Sequence, residues 1–414
     1  MNTADELLKK IKSKEAKLGL IGVGYVGSAI GIGAARVGYN VLGYSRTRSR
    51  VDSINALKID RFSATKSISD LGRSDIIAIC VPTPVYKNKK PDIRPLRDAL
   101  IQVTKMLHGG QLVIIESSVA PGTTRNFALP ILKRSKLVEE KDFFLAYSPE
   151  RIDPGNKKYT FRNIPKVVAG IGKDSELLTL EFYKCLVTRV VPVSSLETAE
   201  MVKLLENTFR FINISLINEL LAYTQGLDLN IWEIIEAAAT KPFGFMAHYP
   251  GPGIGGHCIA VDPYYLLDDA KKRGINLGMV EQAGKVNDRQ PIKIAQKVSS
   301  LLQKKQFSRK KSKVLLIGVA YKPNISDIRE SPALHIWHLL ERKGHKVNYH
   351  DPFVPRINRT SSLQLSPETI AHHDVIIITT NHSSVDYEIL IKGEKPVIDT
   401  RNVLGYKYPN VTGL

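Results

Sequence analysis

The stretch Lys17-Leu18-Gly19-Leu20-Ile21-Gly22-Val23-Gly24-Tyr25-Val26-Gly27 decides the fold of this chain. An apolar strand, Lys17 to Val23, runs into a Gly-x-Gly-x-x-Gly turn. A small-residue helix follows over Ser28 to Val37. Gly38-Tyr39-Asn40 turns the chain back, and Val41 to Tyr44 reads as a second strand. The glycine spacing is a weak signal alone. At the strand-to-helix turn of a βαβ unit it is the fingerprint of a dinucleotide-binding domain. Gly22 makes the tight turn, Gly24 lets a pyrophosphate approach the backbone, and Gly27 lets helix pack on strand. Tyr25 and Val26 open the helix, whose N-terminus offers amides and a positive dipole end to the pyrophosphate.

The second strand of such a site usually ends in an acidic residue that binds the adenosine ribose. Ser45 stands there, in Gly43-Tyr44-Ser45-Arg46-Thr47-Arg48. Two readings follow. Either Arg46 and Arg48 meet a 2′-phosphate, as in NADP, or they form a solvent-facing basic turn and NAD is held mainly through its pyrophosphate.

Outward from this unit, strands are expected at Asp75 to Val81, Gln111 to Ser117 and Phe143 to Tyr147, with Val167 to Gly170 and Arg189 to Val193 extending the sheet. Strands alternating with helical stretches describe a mostly parallel, doubly wound sheet. Ser195 to about Ile235 reads as one long helix, apolar on several faces, as in a helix that joins domains or lies in a dimer interface. More helix is expected up to Leu302. From Lys313 to Gly318 a second strand-and-glycine start appears, then a helix over Ser331 to Lys343 and strands at Lys346 to Tyr349, Asp374 to Thr380 and Pro396 to Asp399. Gly318-Val-Ala-Tyr321 lacks the three glycines, so this half is expected to bind a ligand other than a dinucleotide, at its strands' carboxyl ends near Lys322 and Arg401. The fold class is therefore α/β: two doubly wound Rossmann-like domains joined by a long central helix and a helical dimerisation region. The expected boundaries are 1–195, 196–302 and 303–414.

Composition narrows the function. Of 414 residues, 43% are hydrophobic and 24% charged, as in ordinary globular proteins, and no apolar run would span a bilayer. Cys80, Cys185 and Cys258 are too scattered for a disulfide framework or zinc site, so no metal and a reducing, cytoplasmic setting are expected. The net charge of +19 is unusual. Its densest run, Lys304-Lys305 through Arg309, Lys310, Lys311 and Lys313, lacks the interleaved aromatics of a nucleic-acid surface and reads as a solvated linker. An anionic small substrate suits the charge without being required by it.

Tyr249-Pro-Gly-Pro-Gly253-Ile-Gly255-Gly-His257-Cys258-Ile-Ala-Val-Asp262 holds the chemistry. Four glycines and two prolines precede Cys258. Cys258 reads either as a nucleophile partnered by Asp262 or as a buried thiol beside a helix-capping aspartate. Polar clusters also occur at Val81-Pro-Thr83-Pro84, Glu116-Ser-Ser118 through Arg125, Ser148-Pro-Glu150-Arg151 through Asn156, Glu200-Met-Val-Lys203-Leu-Leu-Glu-Asn207, and Tyr321-Lys322 through Asp327-Ile-Arg329-Glu330. Lys203 and Asn207 are spaced to share a helix face.

Together these segments resemble the UDP-glucose/GDP-mannose dehydrogenase family over nearly the whole chain. Within it, Thr240 to Ile259 and Ser148 to Asn156 most resemble the UDP-N-acetylglucosamine 6-dehydrogenases. The resemblance implies an NAD- or NADP-dependent, four-electron oxidation of a UDP-sugar C6 hydroxyl to a carboxylate through a Cys258 thiohemiacetal and thioester. UDP-N-acetylglucosamine is the expected substrate, with UDP-N-acetylmannosamine and UDP-glucose as alternatives. It implies that Lys203 and Asn207 bracket the reacting oxygen, that Asp262 or Glu150 handles the proton, and that Ser118 contacts the reaction-site water. Thr83 and Ser118 join Gly22, Gly24, Tyr25, Val26, Gly27, Ser45 and Arg46 at the cofactor. Glu150, Arg151, Tyr249, Gly253, Gly255, Lys322, Arg329 and Arg401 join the substrate set, though Arg329 reads equally as a structural ion pair with Asp327. The arginine that UDP-glucose enzymes carry before the glycine loop is absent; Lys241 is the nearest cation. The partners implied are a UDP-sugar and a second copy of the chain, as a homodimer or larger, with no nucleic acid or membrane. Two other readings stay open: a two-electron hydroxyacid-type dehydrogenase with a structural Cys258, and a nucleotide-sugar sensor.

Overall fold

A computed structural model describes residues 3–153, 155–156, 158–304, 312–405 and 407–414. The basic segment 305–311 lies outside the described residues. The chain forms two compact units, Met1–Glu206 with Tyr264–Gly274, and Asn207–Pro263 with Ile275–Leu414.

In the first unit, β1 (Lys17–Ile21), β2 (Asn40–Tyr44), β3 (Phe62–Thr65), β4 (Ile76–Ile79), β5 (Gln111–Ile115), β6 (Phe143–Tyr147), β7 (Lys166–Gly170) and β8 (Val190–Pro192) form one sheet. Its order is β3-β2-β1-β4-β5-β6-β7-β8. The first six strands are parallel, in the 3-2-1-4-5-6 order of a dinucleotide-binding fold. The strands β4, β5 and β6 are buried along their whole length because helices cover both faces of the sheet. Two apolar cores result: one face carries Leu18, Leu20 and Ile114, the other Ile21, Ile77 and Ile115. β7 reverses direction, pairing Ala146 with Gly170 and Tyr147 with Ala169 antiparallel to β6. The sequence marked that strand but not its direction. The short strand β3 was also unmarked: Phe62-Ser-Ala-Thr65 carries little apolar signal.

The second unit holds an all-parallel sheet of β9 (Lys313–Ile317), β10 (Lys346–His350), β13 (Val375–Ile378), β14 (Val397–Asp399) and β15 (Val411–Gly413), in the order β10-β9-β13-β14-β15. A hairpin of β11 (Arg356–Ile357) and β12 (Thr360–Ser361) lies between β10 and β13 in sequence. The long helix is Leu196–Gly226 and does not continue to Ile235. Gly226-Leu-Asp-Leu-Asn230 interrupts it: Asp228 takes a positive φ of 55°, and Asn230 accepts from the Trp232 amide to cap a new helix, Ile231–Ala239. Likewise the helix expected up to Leu302 is two, Asp262–Lys272 and Gly278–Lys304.

Candidate active site

The dinucleotide turn has the shape its glycines require. Gly22 sits at φ +97°, and a Cβ there would meet the Cys80 carbonyl oxygen at 2.7 Å. A Cβ on Gly27 would meet the Gly22 oxygen at 2.0 Å, so only glycine lets the helix Tyr25–Arg36 approach β1. Gly24, which caps that helix, has open space above it. A diphosphate therefore has both a bare approach and a helix N-terminus at Tyr25 and Val26. The fit to a dinucleotide rests on this cradle. At the ribose end, Ser45 Oγ accepts from the Thr47 amide, and Arg48 pairs with Asp52 at 3.1 Å. Arg46 and Arg48 are both exposed, and the Arg48–Asp52 pair is a surface contact along one helix.

Thr83 is buried in the loop after β4, and Tyr265 Oη reaches the Pro84 carbonyl. Ser118 is half-buried after β5. Its loop is held by Glu200 of the long helix, whose carboxylate accepts the amides of Gly122 at 2.5 Å and Thr124 at 2.7 Å. Burial pushes Glu200 up to about 7. Glu150 follows β6. Its Oε1 accepts the amides of Arg151 and Ile152 at 2.6 and 2.5 Å, while its buried Oε2 accepts no hydrogen bond among the described residues. Arg151 is engaged inside the same unit, on the Glu206 carboxylate and the Pro165 carbonyl. Asp153, which sequence left without a role, accepts from Asn156 at 3.1 Å. Lys203 is buried on the long helix.

The cysteine loop belongs to the second unit. Cys258 is exposed, not a buried thiol. Its carbonyl accepts the amides of Val261 and Asp262 at 3.0 and 2.8 Å, a turn that brings the chain into the helix opened by Asp262. The Asp262 carboxylate is buried and accepts from Asn207 Nδ2 at 2.6 Å. Thus a pair distant in sequence is joined: the amide expected at the reacting oxygen is fixed by the carboxylate expected to handle the proton.

Glycines let this loop lie against the second sheet's loops. A Cβ on Gly255 would meet the Glu330 carbonyl, and one on Gly256 would enter the Tyr321 ring. Gly253 takes φ +128°, and the Gly256 amide donates to the Arg329 carbonyl at 3.0 Å. His257, beside the thiol, is depressed to about 4 by burial and by nearby Arg329, so it is neutral near pH 7. Its buried Nε2 has no partner among the described residues. Tyr249 stacks on Trp232 at 5.3 Å.

The expected nucleotide cations lie on loops of the second sheet. Lys322 is half-buried after β9. Arg401 follows β14, donates from Nε to the Thr379 carbonyl at 2.9 Å, and is pushed down to about 10 by burial. A Cβ on Gly251 would meet its guanidinium at 2.7 Å. Arg329 forms a bidentate pair with Asp327, Nη2 at 2.6 Å, which is the ion-pair alternative named above.

Sequence reasoning missed Lys166. This buried lysine bonds Glu116 at 2.5 Å, and the Tyr183 hydroxyl donates to the same carboxylate. The available signal was a lysine heading an apolar strand, Lys-Val-Val-Ala-Gly.

Residues 54–187 match the NAD binding domain of the UDP-glucose/GDP-mannose dehydrogenase family, 197–289 its central domain and 315–406 its UDP binding domain. UDP-N-acetyl-D-mannosamine dehydrogenase of Pyrococcus horikoshii is 32% identical over 94% of this chain and 96% of its own. Its solved structure superimposes with a TM-score of 0.87, covering 96% of this chain and 98% of that one at 31% identity. UDP-N-acetyl-D-glucosamine 6-dehydrogenase of Pseudomonas aeruginosa is 32% identical over 89% of this chain and 91% of its own. The chain belongs to the UDP-glucose/GDP-mannose dehydrogenase family. It is an NAD-binding oxidoreductase of nucleotide sugars, with a UDP-sugar binding domain. No helix among the described residues is long and apolar enough to cross a membrane.

Proposed function

We propose that the chain oxidises C6 of a UDP-N-acetylhexosamine from alcohol to carboxylate, with Cys258 as covalent nucleophile. The observation that carries this reading is the exposed Cys258, whose turn is tied to the buried Asn207–Asp262 pair. NAD supplies a two-electron acceptor, and the overall change consumes two NAD and one water per sugar. A planar aldehyde cannot be oxidised directly to an acid. The Cys258 thiolate adds to its carbonyl carbon and makes the tetrahedral centre from which a second oxidation gives a thioester. Lys203 and the Asn207 amide stabilise the oxyanion on the adding oxygen. Asp262 holds the Asn207 side chain in place and takes the proton released as the alcohol or hemithioacetal oxygen is oxidised. Glu150 takes a proton from the water that hydrolyses the thioester, and Cys258 departs as thiolate. Lys322 and Arg401 provide charge for the diphosphate.

UDP-N-acetylglucosamine and UDP-N-acetylmannosamine remain the two readings at C2, since relatives named for each are 32% identical. Initial rates on UDP-N-acetylglucosamine, UDP-N-acetylmannosamine and UDP-glucose test the choice. We expect an N-acetylated sugar to exceed UDP-glucose by about a hundredfold in kcat/KM, the upper end of the about 1–3 kcal/mol cost of leaving a buried polar group unpaired. Equal or faster turnover of UDP-glucose contradicts the proposal.

A homodimer is part of the same proposal. Phe209, Leu216, Leu220 and Tyr223 leave large apolar surface exposed along one helix that already buries Phe211, Ile217 and Leu221. Light scattering should give twice the chain mass for the native protein and a folded monomer for the double variant Leu216→Glu/Tyr223→Glu. A monomeric native protein would refute it.

A further inference from the structure

We propose that Lys166 is a positioning residue for the hydrolytic step, fixing the Glu150 segment and holding its carboxyl group ionised to take the proton of the attacking water. This rests on the reading of Glu150 as the base in thioester hydrolysis.

The antiparallel turn from β6 to β7 creates the arrangement. The register that pairs Tyr147 with Ala169, carried three residues further, brings Lys166 opposite Glu150. The Lys166 ammonium donates to Glu116 at 2.5 Å, to the Pro149 carbonyl at 3.1 Å and to the Ser148 carbonyl at 3.4 Å. Its Nζ also stands 3.5 Å from Glu150 Oε2. One cation thus fixes the backbone ahead of Glu150 and places its charge beside the carboxylate. The amides of Arg151 and Ile152 occupy Oε1. Oε2 is buried, accepts no hydrogen bond among the described residues and is balanced by the neighbouring ammonium.

A buried cation needs such partners. The Lys166 side chain is 4% exposed and that of Glu116 is fully buried. Burial opposes charge on Lys166, yet Glu116 and Glu150 outweigh it and keep the ammonium protonated. Burial raises Glu116 to about 7 against the pull of Lys166. Among the described residues, Cys80, Tyr183 and Glu150 also face the cluster. Cys80, pushed up by burial, stays a neutral thiol; Tyr183 stays a neutral phenol bonded to Glu116; and Glu150 completes a set of two carboxylates around one ammonium. Glu116 is the counter-ion that makes burial of Lys166 tolerable. In the step served, water oxygen bonds to the thioester carbon, its proton passes to the Glu150 carboxylate, the carbon–sulfur bond breaks, and Cys258 leaves with the electron pair.

The test is the pH profile of kcat for UDP-N-acetylhexosamine oxidation in Lys166→Met, Lys166→Arg and Glu116→Gln. Removing a cation 3.5 Å from a carboxylate disfavours the ionised form, so Lys166→Met should lower kcat by about thirtyfold or more with KM little changed. Its acid limb should move up by about one pH unit or more, and Lys166→Arg should restore most of both. In Glu116→Gln the ammonium is no longer shared between two carboxylates, so the acid limb should move down. An unmoved acid limb in a folded Lys166→Met overturns the proposal, as does a loss that Lys166→Arg fails to rescue. Where Lys166→Met does not fold, the Glu116→Gln limb decides: a downward shift supports the role and an unmoved one ends it. A native enzyme that yields a single NADH per sugar removes the hydrolytic step itself, an outcome separate from any variant's.

Discussion

Cys258→Ala is expected to lower steady-state NADH formation by about a thousandfold or more, because the thiolate is the nucleophile that turns the aldehyde into the tetrahedral centre for the second oxidation. The variant should still bind both ligands, since Cys258 contributes an exposed side chain and its loop is held by backbone bonds. Rapid mixing should therefore show about one NADH per site in the first turnover, followed by little further reaction. The melting temperature should change by no more than a few degrees, as for other exposed truncations. A variant that keeps a tenth of native turnover would remove Cys258 from the chemistry and favour the two-electron reading.

Asp262 gives the second large effect, and two substitutions separate its roles. Its carboxylate is buried and bonded to Asn207 Nδ2. Asp262→Asn preserves an acceptor for that amide but loses the charge and the base. We expect kcat to fall by about 10²–10⁴, the usual range for a positioned acid or base, with little change in melting temperature. Asp262→Ala should lose the same rate and also destabilise the fold by about 1–3 kcal/mol, because Asn207 is left buried without its partner. Equal melting temperatures for the two variants would mean that the bond does not anchor Asn207. A kcat within tenfold of native for Asp262→Asn would mean that the charge is not used.

The parts legible in the sequence were those encoded by local backbone demands. Gly22, Gly24 and Gly27 announce a strand-to-helix turn because only glycine fits where the Gly22 oxygen and the Cys80 carbonyl come close. The glycines from Gly251 to Gly256 announce a loop pressed against its neighbours, as Gly255 against the Glu330 carbonyl and Gly256 against the Tyr321 ring show. What stayed hidden depends on strand direction and on residues far apart in the chain. No local pattern distinguishes a parallel from an antiparallel β7, yet that reversal sets Lys166 opposite Glu150. Lys166 and Glu116 are 50 residues apart, and neither looks unusual beside its neighbours. Arg329 reads identically as a phosphate ligand or an ion pair until Asp327 is seen bidentate on it. The break at 227–230 was missed because Leu227 and Leu229 extend the apolar pattern while Asp228 and Asn230 end the helix by conformation and cap.

The central claim is that one protein carries a sugar alcohol through two oxidations on Cys258. Counting NADH per UDP-N-acetylhexosamine consumed, with the product identified as aldehyde or carboxylate by mass, tests it most directly. Two NADH and a carboxylate are expected from the native protein. One NADH per sugar, an aldehyde or ketone product, and no change on replacing Cys258 by alanine would contradict it.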